Sequence, residues 1–478
     1  MSGAVRLWLG VCHGLFRTVP AHQYRRTSAV NVASTTFTGN VGNTGTITGA
    51  LSVTNSRING EILDSGSIGG GIKIDSASTI SAPTLVGISI SGALFAGGIS
   101  NAGNIAAGQS DIYINGTSTF SGGIFNSGSM LAGGSAIDIF ASTFLGGITN
   151  AGSITAAFDR VIEVDVSSFA GGITNSGTLT ASDDSAIAIF ASSFAGGITN
   201  SGTINSYASG IYMDASTFTG GILNTGTIDS TNGAGMEVFG SYFSGGITNS
   251  GSIDASTYLG IYVSFSTFTG GITNSGSITS YDYGIEVYAT SFDGGIVNSG
   301  SINSHYTGIY ADVSTFTGGI TNTATIDSIA GPGISLFGAA FSGGISNGIT
   351  GAITANRAGI YVSESNFAGG IANAGSIDSG AGDGINVNDS AFSGGIANTG
   401  TIFALAGSGI RAVVTTFLGG VTNTGTIVAH NDGTVIGGPT VGGGAVTTGA
   451  AVSTHAGTVV TAFASATGLG QAAHSAAA

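Results

Sequence analysis

The sequence predicts an all-β chain, a right-handed, single-stranded parallel β-helix (a β-solenoid) of about 16 rungs with 24–26 residues each in its regular part. One motif recurs at that spacing from about Phe37 to about Ile427. Within the motif, apolar residues alternate with a period of two, which is typical of strands. Two short strands with turns between them cannot bury their apolar faces alone. We therefore expect rungs to stack on identical neighbours, with the right-handed winding that parallel crossovers prefer.

The repeat reads G-I-x-V-x-x-S-x-F-x-G-G-I-x-N-x-G-x-I and is followed by five or six variable residues. In the copy around Phe268, Ile261 and Val263 mark a first strand that ends in a corner at the Phe. We expect Gly270 and Gly271 to supply the turn, with backbone torsions closed to other residues. The variable residues make the remaining turn, where copy lengths differ as they do in exposed loops.

A second strand follows the glycine pair. We expect its inward residues to be Ile272, Asn274, Gly276 and Ile278, with the intervening hydroxyl residues outward. The Gly two residues after the Asn is expected to leave room for the amide. Degenerate copies are predicted to begin at Phe37 and at Ile58.

An Asn six residues after each Phe is the strongest single feature of the repeat. Facing inward, each amide would hydrogen-bond to the Asn above and below, forming a ladder. We predict Asp64 to stand in for this Asn once, and a two-residue bulge in the copy Asn347-Gly-Ile-Thr-Gly351-Ala-Ile353. The ladder residues are Asn101, Asn126, Asn150, Asn175, Asn200, Asn224, Asn249, Asn274, Asn298, Asn322, Asn347, Asn373, Asn398 and Asn423.

The chain is expected to have three parts. Residues 1–34 lack the repeat and are interpreted as a degraded export signal or a mis-assigned start. Residues 35–430 form the parallel β-helix, and residues 431–478 form a Gly/Ala/Thr-rich terminal rung and linker tail.

Composition argues against several function classes. The formal charge is −15 and Lys73 is the only lysine, so nucleic acid is an unsuitable partner because its recognition needs a basic footprint. No run of about 18 apolar residues predicts a spanning helix. The six histidines have no metal-ligand spacing, and we expect no metal, no cofactor and no catalytic residue. The chain is expected to be a monomer.

The phrasing G-G-I-T-N-S-G-T-I, found at residues 196–204, resembles the passenger regions of bacterial autotransporters. The resemblance covers about 80% of the chain. It implies a right-handed β-helix at the bacterial cell surface, in the outer membrane or outside the cell, acting as an adhesin or a structural stalk. It also implies an outer-membrane barrel as partner. We identify neither a clear signal sequence nor barrel strands, so a fragment or another export route is expected.

The outward face of the first strand carries an aromatic and acidic stripe. Rings that stack on sugar faces and carboxylates that accept hydroxyl hydrogen bonds would suit a glycan or a host or neighbouring-cell surface. Cross-rung stacking that stabilises the fold is the other interpretation. The aromatic residues are Tyr113, Phe140, Phe190, Tyr212, Phe239, Tyr262, Tyr288, Tyr310, Phe337 and Tyr361. The acidic residues include Asp138, Glu163, Asp165, Asp214, Glu237, Glu286 and Asp312.

Two alternatives stay open. Asp138 and Glu163 lie one rung apart in one column, so their side chains could approach to the ~5 Å that a retaining glycosidase pair needs, and a polysaccharide lyase or hydrolase is an alternative. Arg160 is the only basic residue that flanks them. Outward hydroxyls on the second strand, as in Thr174-Asn-Ser176-Gly-Thr178, would also suit an ice-binding solenoid.

Overall fold

The computed structural model describes residues 29–438, apart from residues 93, 339, 364–365 and 389–390, and the short segments 440–441, 446–448, 451–453 and 460–464. The fold is a parallel β-solenoid of about 16 turns, and the described residues include no helix. This confirms the predicted fold class. Residues 1–28 of the predicted N-terminal segment 1–34 lie outside the described residues.

Contacts between residues divide the chain into two compact units. Unit 1 comprises Met1–Gly233 with Glu237–Gly240, and unit 2 comprises Ala234–Met236 with Ser241–Ala478. Strands pair in parallel within each unit.

Each regular rung has three strands, and the expectation of two was wrong. The copy around Phe268 contains the strands Ile261–Phe268, Ile272–Asn274 and Ser277–Ser280. The single long second strand that we expected is divided by a corner at Ser275 and Gly276. The Asn side chain makes this corner, because Asn274 Nδ2 lies 3.4 Å from the Gly276 carbonyl oxygen. The three strands belong to three sheets, which we number in chain order. The first sheet contains Ile261–Phe268, the second contains Ile272–Asn274 and the third contains Ser277–Ser280.

The strands of the first sheet contain the Phe column in regular rungs. In unit 1 they are Val41–Asn43, Ile62–Asp64, Ile88–Ile90, Leu94–Phe95, Ile112–Phe120, Ile137–Phe144, Ile162–Phe169, Ile187–Phe194 and Ile211–Phe218. Met236–Phe243 has residues in both units. In unit 2 they are Ile261–Phe268, Ile285–Phe292, Ile309–Phe316, Ile334–Phe337, Ala340–Phe341, Ile360–Ser363, Asn366–Phe367, Ile385–Asn388, Ala391–Phe392, Ile410–Val413, Thr416–Phe417, Thr434–Gly438, Thr440–Val441 and Val460–Ala464.

The strands of the second sheet are short. In unit 1 they are Val30–Ala33, Leu51–Thr54, Ile72–Ile74, Ile99–Asn101, Ile124–Asn126, Ile148–Asn150, Ile173–Asn175, Ile198–Asn200 and Ile222–Asn224. In unit 2 they are Ile247–Asn249, Ile272–Asn274, Ile296–Asn298, Ile320–Asn322, Ile345–Asn347, Ile371–Asn373, Ile396–Asn398, Val421–Asn423 and Val446–Thr448.

The strands of the third sheet precede the variable loops. In unit 1 they are Thr36–Thr38, Arg57–Asn59, Thr79–Ala82, Asn104–Ala107, Ser129–Ala132, Ser153–Ala156, Thr178–Ala181, Thr203–Ser206 and Thr227–Ser230. In unit 2 they are Ser252–Ala255, Ser277–Ser280, Ser301–Ser304, Thr325–Ser328, Ala352–Ala355, Ser376–Ser379, Thr401–Ala404, Thr426–Ala429 and Ala451–Ser453. Two further strands, Thr46–Ile47 and Ser67–Ile68, pair with each other.

Equivalent residues of successive rungs are in register, so the interior consists of columns of one residue type. Ile272 pairs with Ile296 and Asn274 with Asn298. Phe268 is fully buried, and its ring centroid lies 4.7 Å from that of Phe292 with the planes 1° apart. Stacked apolar columns of this kind provide the core that one rung lacks.

The Asn residues face inward and hydrogen-bond from rung to rung. Asn249 Nδ2 lies 2.8 Å from Asn274 Oδ1, and Asn274 Nδ2 lies 2.8 Å from Asn298 Oδ1. Asn274 Nδ2 is also 3.2 Å from the carbonyl oxygen of Ser301. The same contacts run from Asn101 to Asn224 in unit 1. A buried amide is therefore paired both with its neighbours and with the backbone at the corner.

The glycines at the corners are required for space, and two expectations about them were wrong. Neither Gly270 nor Gly271 has a positive φ. A Cβ on Gly270 would lie 1.7 Å from the carbonyl oxygen of Gly245. A Cβ on Gly276 would lie 1.9 Å from the carbonyl oxygen of Gly251, so this Gly accommodates the neighbouring rung's backbone rather than the Asn amide.

The two degenerate copies were assigned to the wrong sheet. Phe37 pairs with Ile58, and the same column continues with Ile80 and Ile105 in the third sheet. The Phe column of the first sheet instead contains Phe95 and its later equivalents.

Asp64 is consequently not part of the Asn column. Asn43 and Asp64 pair with each other in the first sheet, where Ile90 follows them. The residue below Asn101 in the second sheet is Ile74. The Asn-x-Gly motif misleads here because it makes the same local corner in either sheet, with Asn43 Nδ2 3.3 Å from the carbonyl oxygen of residue 45.

The irregular copy after Phe341 keeps its strands. The two extra residues lengthen the corner between Asn347 and Ala352 instead of forming a bulge within a strand. The ladder continues, with Asn347 Nδ2 2.8 Å from Asn373 Oδ1.

Paired strands also lie outside the predicted limits 35 and 430, from Val30–Ala33 to Val460–Ala464.

We predict that Asn274→Ala lowers the free energy of unfolding by about 1–3 kcal/mol, because Asn249 Nδ2 loses its side-chain acceptor and Asn298 Oδ1 loses its side-chain donor. Thr273→Ala, at the adjacent outward position, should change it by less than about 0.5 kcal/mol. Denaturant unfolding followed by circular dichroism measures both. Equal losses in the two variants would contradict the contribution assigned to the ladder.

We also predict that Gly276→Ala destabilises the fold by about 1–3 kcal/mol, because its Cβ meets backbone that cannot move independently. Gly134→Ala is the control, since the nearest atom to its Cβ is 3.7 Å away. The unfolding midpoints of the two variants give the comparison. An unchanged midpoint for Gly276→Ala would contradict the prediction, because it would mean that the corner has space for a Cβ.

Candidate functional site

The ten aromatic residues predicted for the stripe all lie outward on the first sheet, and we call them the aromatic strip. They are Tyr113, Phe140, Phe190, Tyr212, Phe239, Tyr262, Tyr288, Tyr310, Phe337 and Tyr361. Nine are half-buried and Phe140 is exposed. Strand alternation explains this position, because the intervening residues are the buried Ile and Val of the core.

The rings of the strip alternate between two columns in adjacent rungs and contact each other diagonally. In unit 1, the ring centroids of Tyr212 and Phe239 are 5.8 Å apart. In unit 2, the centroids are 6.0 Å apart for Tyr262 and Tyr288, and 5.7 Å for Tyr288 and Tyr310. These are the distances of weakly attractive aromatic pairs. The strip therefore contributes to rung packing and still presents half-exposed rings.

A denser group of rings lies in unit 2, and sequence reasoning missed it. Loop residues before two successive first-sheet strands join the strip there, with the Tyr283 ring stacked on Tyr310 at 5.1 Å and the Tyr281 ring stacked on His305 at 4.8 Å. Seven of the 13 tyrosines fall within residues 258–310, which is the sequence feature that could have revealed it. We call this group the tyrosine cluster, comprising Tyr281, Tyr283, Glu286, Tyr288, His305, Tyr306 and Tyr310.

Glu286 is the acidic residue of the tyrosine cluster. It is only 6% exposed, and this burial raises its pKa to about 7, to which Asp282 adds. A hydrogen bond from the Tyr288 hydroxyl acts in the opposite direction. Burial also raises the pKa of Tyr283, Tyr288 and Tyr310.

The proposed carboxylate pair lies in unit 1, where Asp138 and Glu163 are register partners on adjacent strands. Burial raises the pKa of Asp138 to about 7, and the negative charges of Glu163 and Asp159 add to this effect. Asp138 Oδ1 is buried without a hydrogen-bond partner. A retaining mechanism needs both carboxylates to be accessible to the substrate, whereas Oδ1 of Asp138 is buried.

Arg160 organises the charges next to this pair. Its Nη1 lies 2.5 Å from Glu163 Oε1, and its Nε lies 3.4 Å from Asp184 Oδ2. Its guanidinium carbon is 5.3 Å from the centroid of the Phe190 ring, within cation–π range. The Arg160 guanidinium therefore packs on a ring of the aromatic strip and contacts two carboxylates.

The outward hydroxyl residues after the glycine pair, on which the ice-binding alternative depends, do not lie on one flat surface. Thr174 lies on the second sheet and Thr178 on the third, with Ser176 at the corner between them. In unit 2, a shallow groove of about 600 Å³ follows the second sheet past Thr321, Ser346 and Ala372. Larger apolar residues such as Phe125 and Leu223 occupy the same outward position elsewhere.

Metal and membrane features were searched over the described residues. No group of three or more His, Cys, Asp or Glu side chains there is arranged to hold a metal ion. The same residues include no helix of the length and apolarity needed to span a bilayer.

Comparison of the chain with known protein families, with curated proteins and with solved structures found no match. The resemblance to autotransporter passengers therefore depends on the repeat motif.

The raised pKa of Asp138 predicts a pH dependence of stability. A carboxyl whose folded-state pKa exceeds its unfolded value of 3.8 stabilises the fold below that value, and this contribution is lost as pH rises to about 7. Asp138→Asn should therefore match the original chain at pH 4 and be more stable at pH 8, by on the order of 1 kcal/mol. Unfolding midpoints at both pH values measure this. Asp165→Asn, exposed on the next strand, is the control, and lower stability of Asp138→Asn at pH 8 would contradict the prediction.

Proposed function

We propose that this chain is an exported, surface-exposed adhesin, in which the β-solenoid is a stiff stalk and the aromatic strip contacts glycans. The observation that carries the proposal is the strip itself, with an outward ring in ten of the eleven rungs from Phe120 to Phe367. Rings of this kind stack on the apolar faces of sugars, and the carboxylates beside them accept hydrogen bonds from hydroxyl groups.

Stiffness is supported by the in-register columns. Each rung is bonded to the next within its unit by backbone hydrogen bonds and by the Asn ladder, and the Phe rings stack in the interior. Solenoids built in this way present an extended surface on which equivalent contacts repeat. Weak contacts at fixed spacing increase avidity without any strong individual site.

A bacterial surface location is proposed from the repeat phrasing and the composition. Residues 161–356 contain 13 acidic residues and no Lys or Arg. Such a chain is suited to contact with neutral or positively charged glycans rather than with nucleic acid. Export in an autotransporter-like system, with a membrane barrel as partner, is part of the same proposal.

A polysaccharide-cleaving enzyme is the second candidate, favoured by the adjacency of Asp138 and Glu163 and by the raised pKa of Asp138. The ion pair of Glu163 with Arg160 and the buried Asp138 oxygen favour a structural role instead. Cleavage of acidic or neutral glycans by the purified chain, lost in Asp138→Asn and in Glu163→Gln, would favour the enzyme.

The adhesin proposal predicts distributed binding. Tyr262→Ala should weaken binding to immobilised glycans by no more than about threefold, whereas replacing Tyr212, Tyr262, Tyr310 and Tyr361 together by Ala should reduce it at least about 100-fold. A glycan array measures binding and circular dichroism monitors folding. The matched control replaces four outward second-sheet residues, Thr199, Thr248, Thr273 and Thr321, by Ala. Full binding by the folded quadruple Tyr variant would leave the strip with a packing role only.

A further inference from the structure

We propose that the tyrosine cluster is a binding site for positively charged amino groups, presented by a glycan that contains amino sugars. The glycan part of this inference rests on the proposed adhesive function. The amino-group part rests on the arrangement of rings and carboxylates around Glu286.

The cluster combines several ring faces on one surface. Tyr283 stacks on Tyr310 at 5.1 Å, and Tyr288 lies 5.7 Å from Tyr310. Beside them, the rings of Tyr281 and Tyr306 are more than 40% exposed, with centroids 5.8 Å apart at a steep angle. The face of an aromatic ring carries partial negative charge, so rings in such an arrangement attract an ammonium group within about 6 Å of their centroids.

The electrostatic environment of the cluster is acidic. Residues 254–312 contain five acidic residues and no Lys or Arg. Glu286 is buried among the tyrosines, and no described basic side chain forms an ion pair with it. A desolvated carboxylate without a counter-ion favours the approach of a cation.

Unit 1 contains a carboxylate at the same repeat position, and there the chain itself supplies the cation. Glu163 occupies the repeat position of Glu286, one residue after the first Ile of its strand, and is bound by Arg160. Arg160 also lies over a strip ring. In the rung of Glu286, the position of Arg160 is taken by Tyr283. The carboxylate is kept there and the cation is not; Asp312 occupies the position of Phe190, and the ring of Tyr310 lies in the column of Glu286 instead.

A second difference separates Glu286 from the other acids at this repeat position. Asp138 and Glu237 each accept a hydrogen bond from a Ser hydroxyl of the preceding rung, Ser110 at 3.5 Å and Ser209 at 2.7 Å. Before Glu286, the equivalent residue is the buried Leu259. Glu286 therefore lacks both the Ser donor and the Arg counter-ion, and its hydrogen bond comes from the Tyr288 hydroxyl. A bound ammonium group would supply the missing counter-ion.

The experiment uses the full chain and two oligosaccharides of equal length, one of N,N,N-trimethylglucosamine and one of N-acetylglucosamine. The quaternary group keeps its charge at every pH. We expect calorimetry to show at least about tenfold tighter binding of the trimethylated oligomer. Glu286→Gln should remove this preference, so that the two oligomers bind with about equal affinity. Tyr283→Arg, which installs the cation found in unit 1, should also remove it.

Glu237→Gln is the control, because Glu237 has the same repeat position and is held by Ser209. Circular dichroism checks folding of each variant. Equal binding of the two oligomers would overturn the amino-group inference and leave glycan adhesion intact. A preference that survives in both folded variants would also overturn it, because attraction would then come from the acidic surface in general. Absence of glycan binding on the array would overturn the adhesive function. If calorimetry still showed tighter binding of the trimethylated oligomer, the amino-group site would stand without the adhesive function.

Discussion

The in-register stacking of equivalent rungs is the constraint on which the rest of this structure depends. Each buried side chain meets its own equivalent above and below, so a position must hold a residue type that packs or bonds with itself. Phe268 stacks on Phe292, and the amide of Asn274 bonds to that of Asn298. Asn meets this requirement because its amide has both donor and acceptor atoms, whereas a column of carboxylates would repel itself.

The same constraint explains the glycines. Successive corners approach so closely that backbone atoms of one rung occupy the space that a Cβ of the next would need, as at Gly276 and the carbonyl oxygen of Gly251. The corner of the second sheet therefore combines two requirements, an Asn that bonds the corner and a Gly that lets the next rung approach. Together they account for the regularity of the N-x-G motif.

Outward positions are released from this constraint, and the proposed functional features lie there. Acidic residues at one outward position have different partners: Arg160 pairs with Glu163, Ser209 donates to Glu237, and Glu286 is surrounded by tyrosines. The variable loops decide these differences, since Arg160 and Tyr283 both lie in the loop before the first strand. A rigid repeated scaffold with variable loops is the usual basis for binding sites in solenoids.

The sequence by itself determined the all-β solenoid, the inward Ile and Phe residues and the outward strip, because periodicity two and a fixed repeat specify which side chains face the core. Only the tertiary structure decided how strands are divided and which sheet each joins. Asn43 has the same local motif as Asn101 but lies in another sheet, because pairing with a neighbouring rung, not local sequence, fixes register. The tyrosine cluster was likewise decided by tertiary structure, since Tyr283 and Tyr310 meet only when loops and strands of adjacent rungs are stacked.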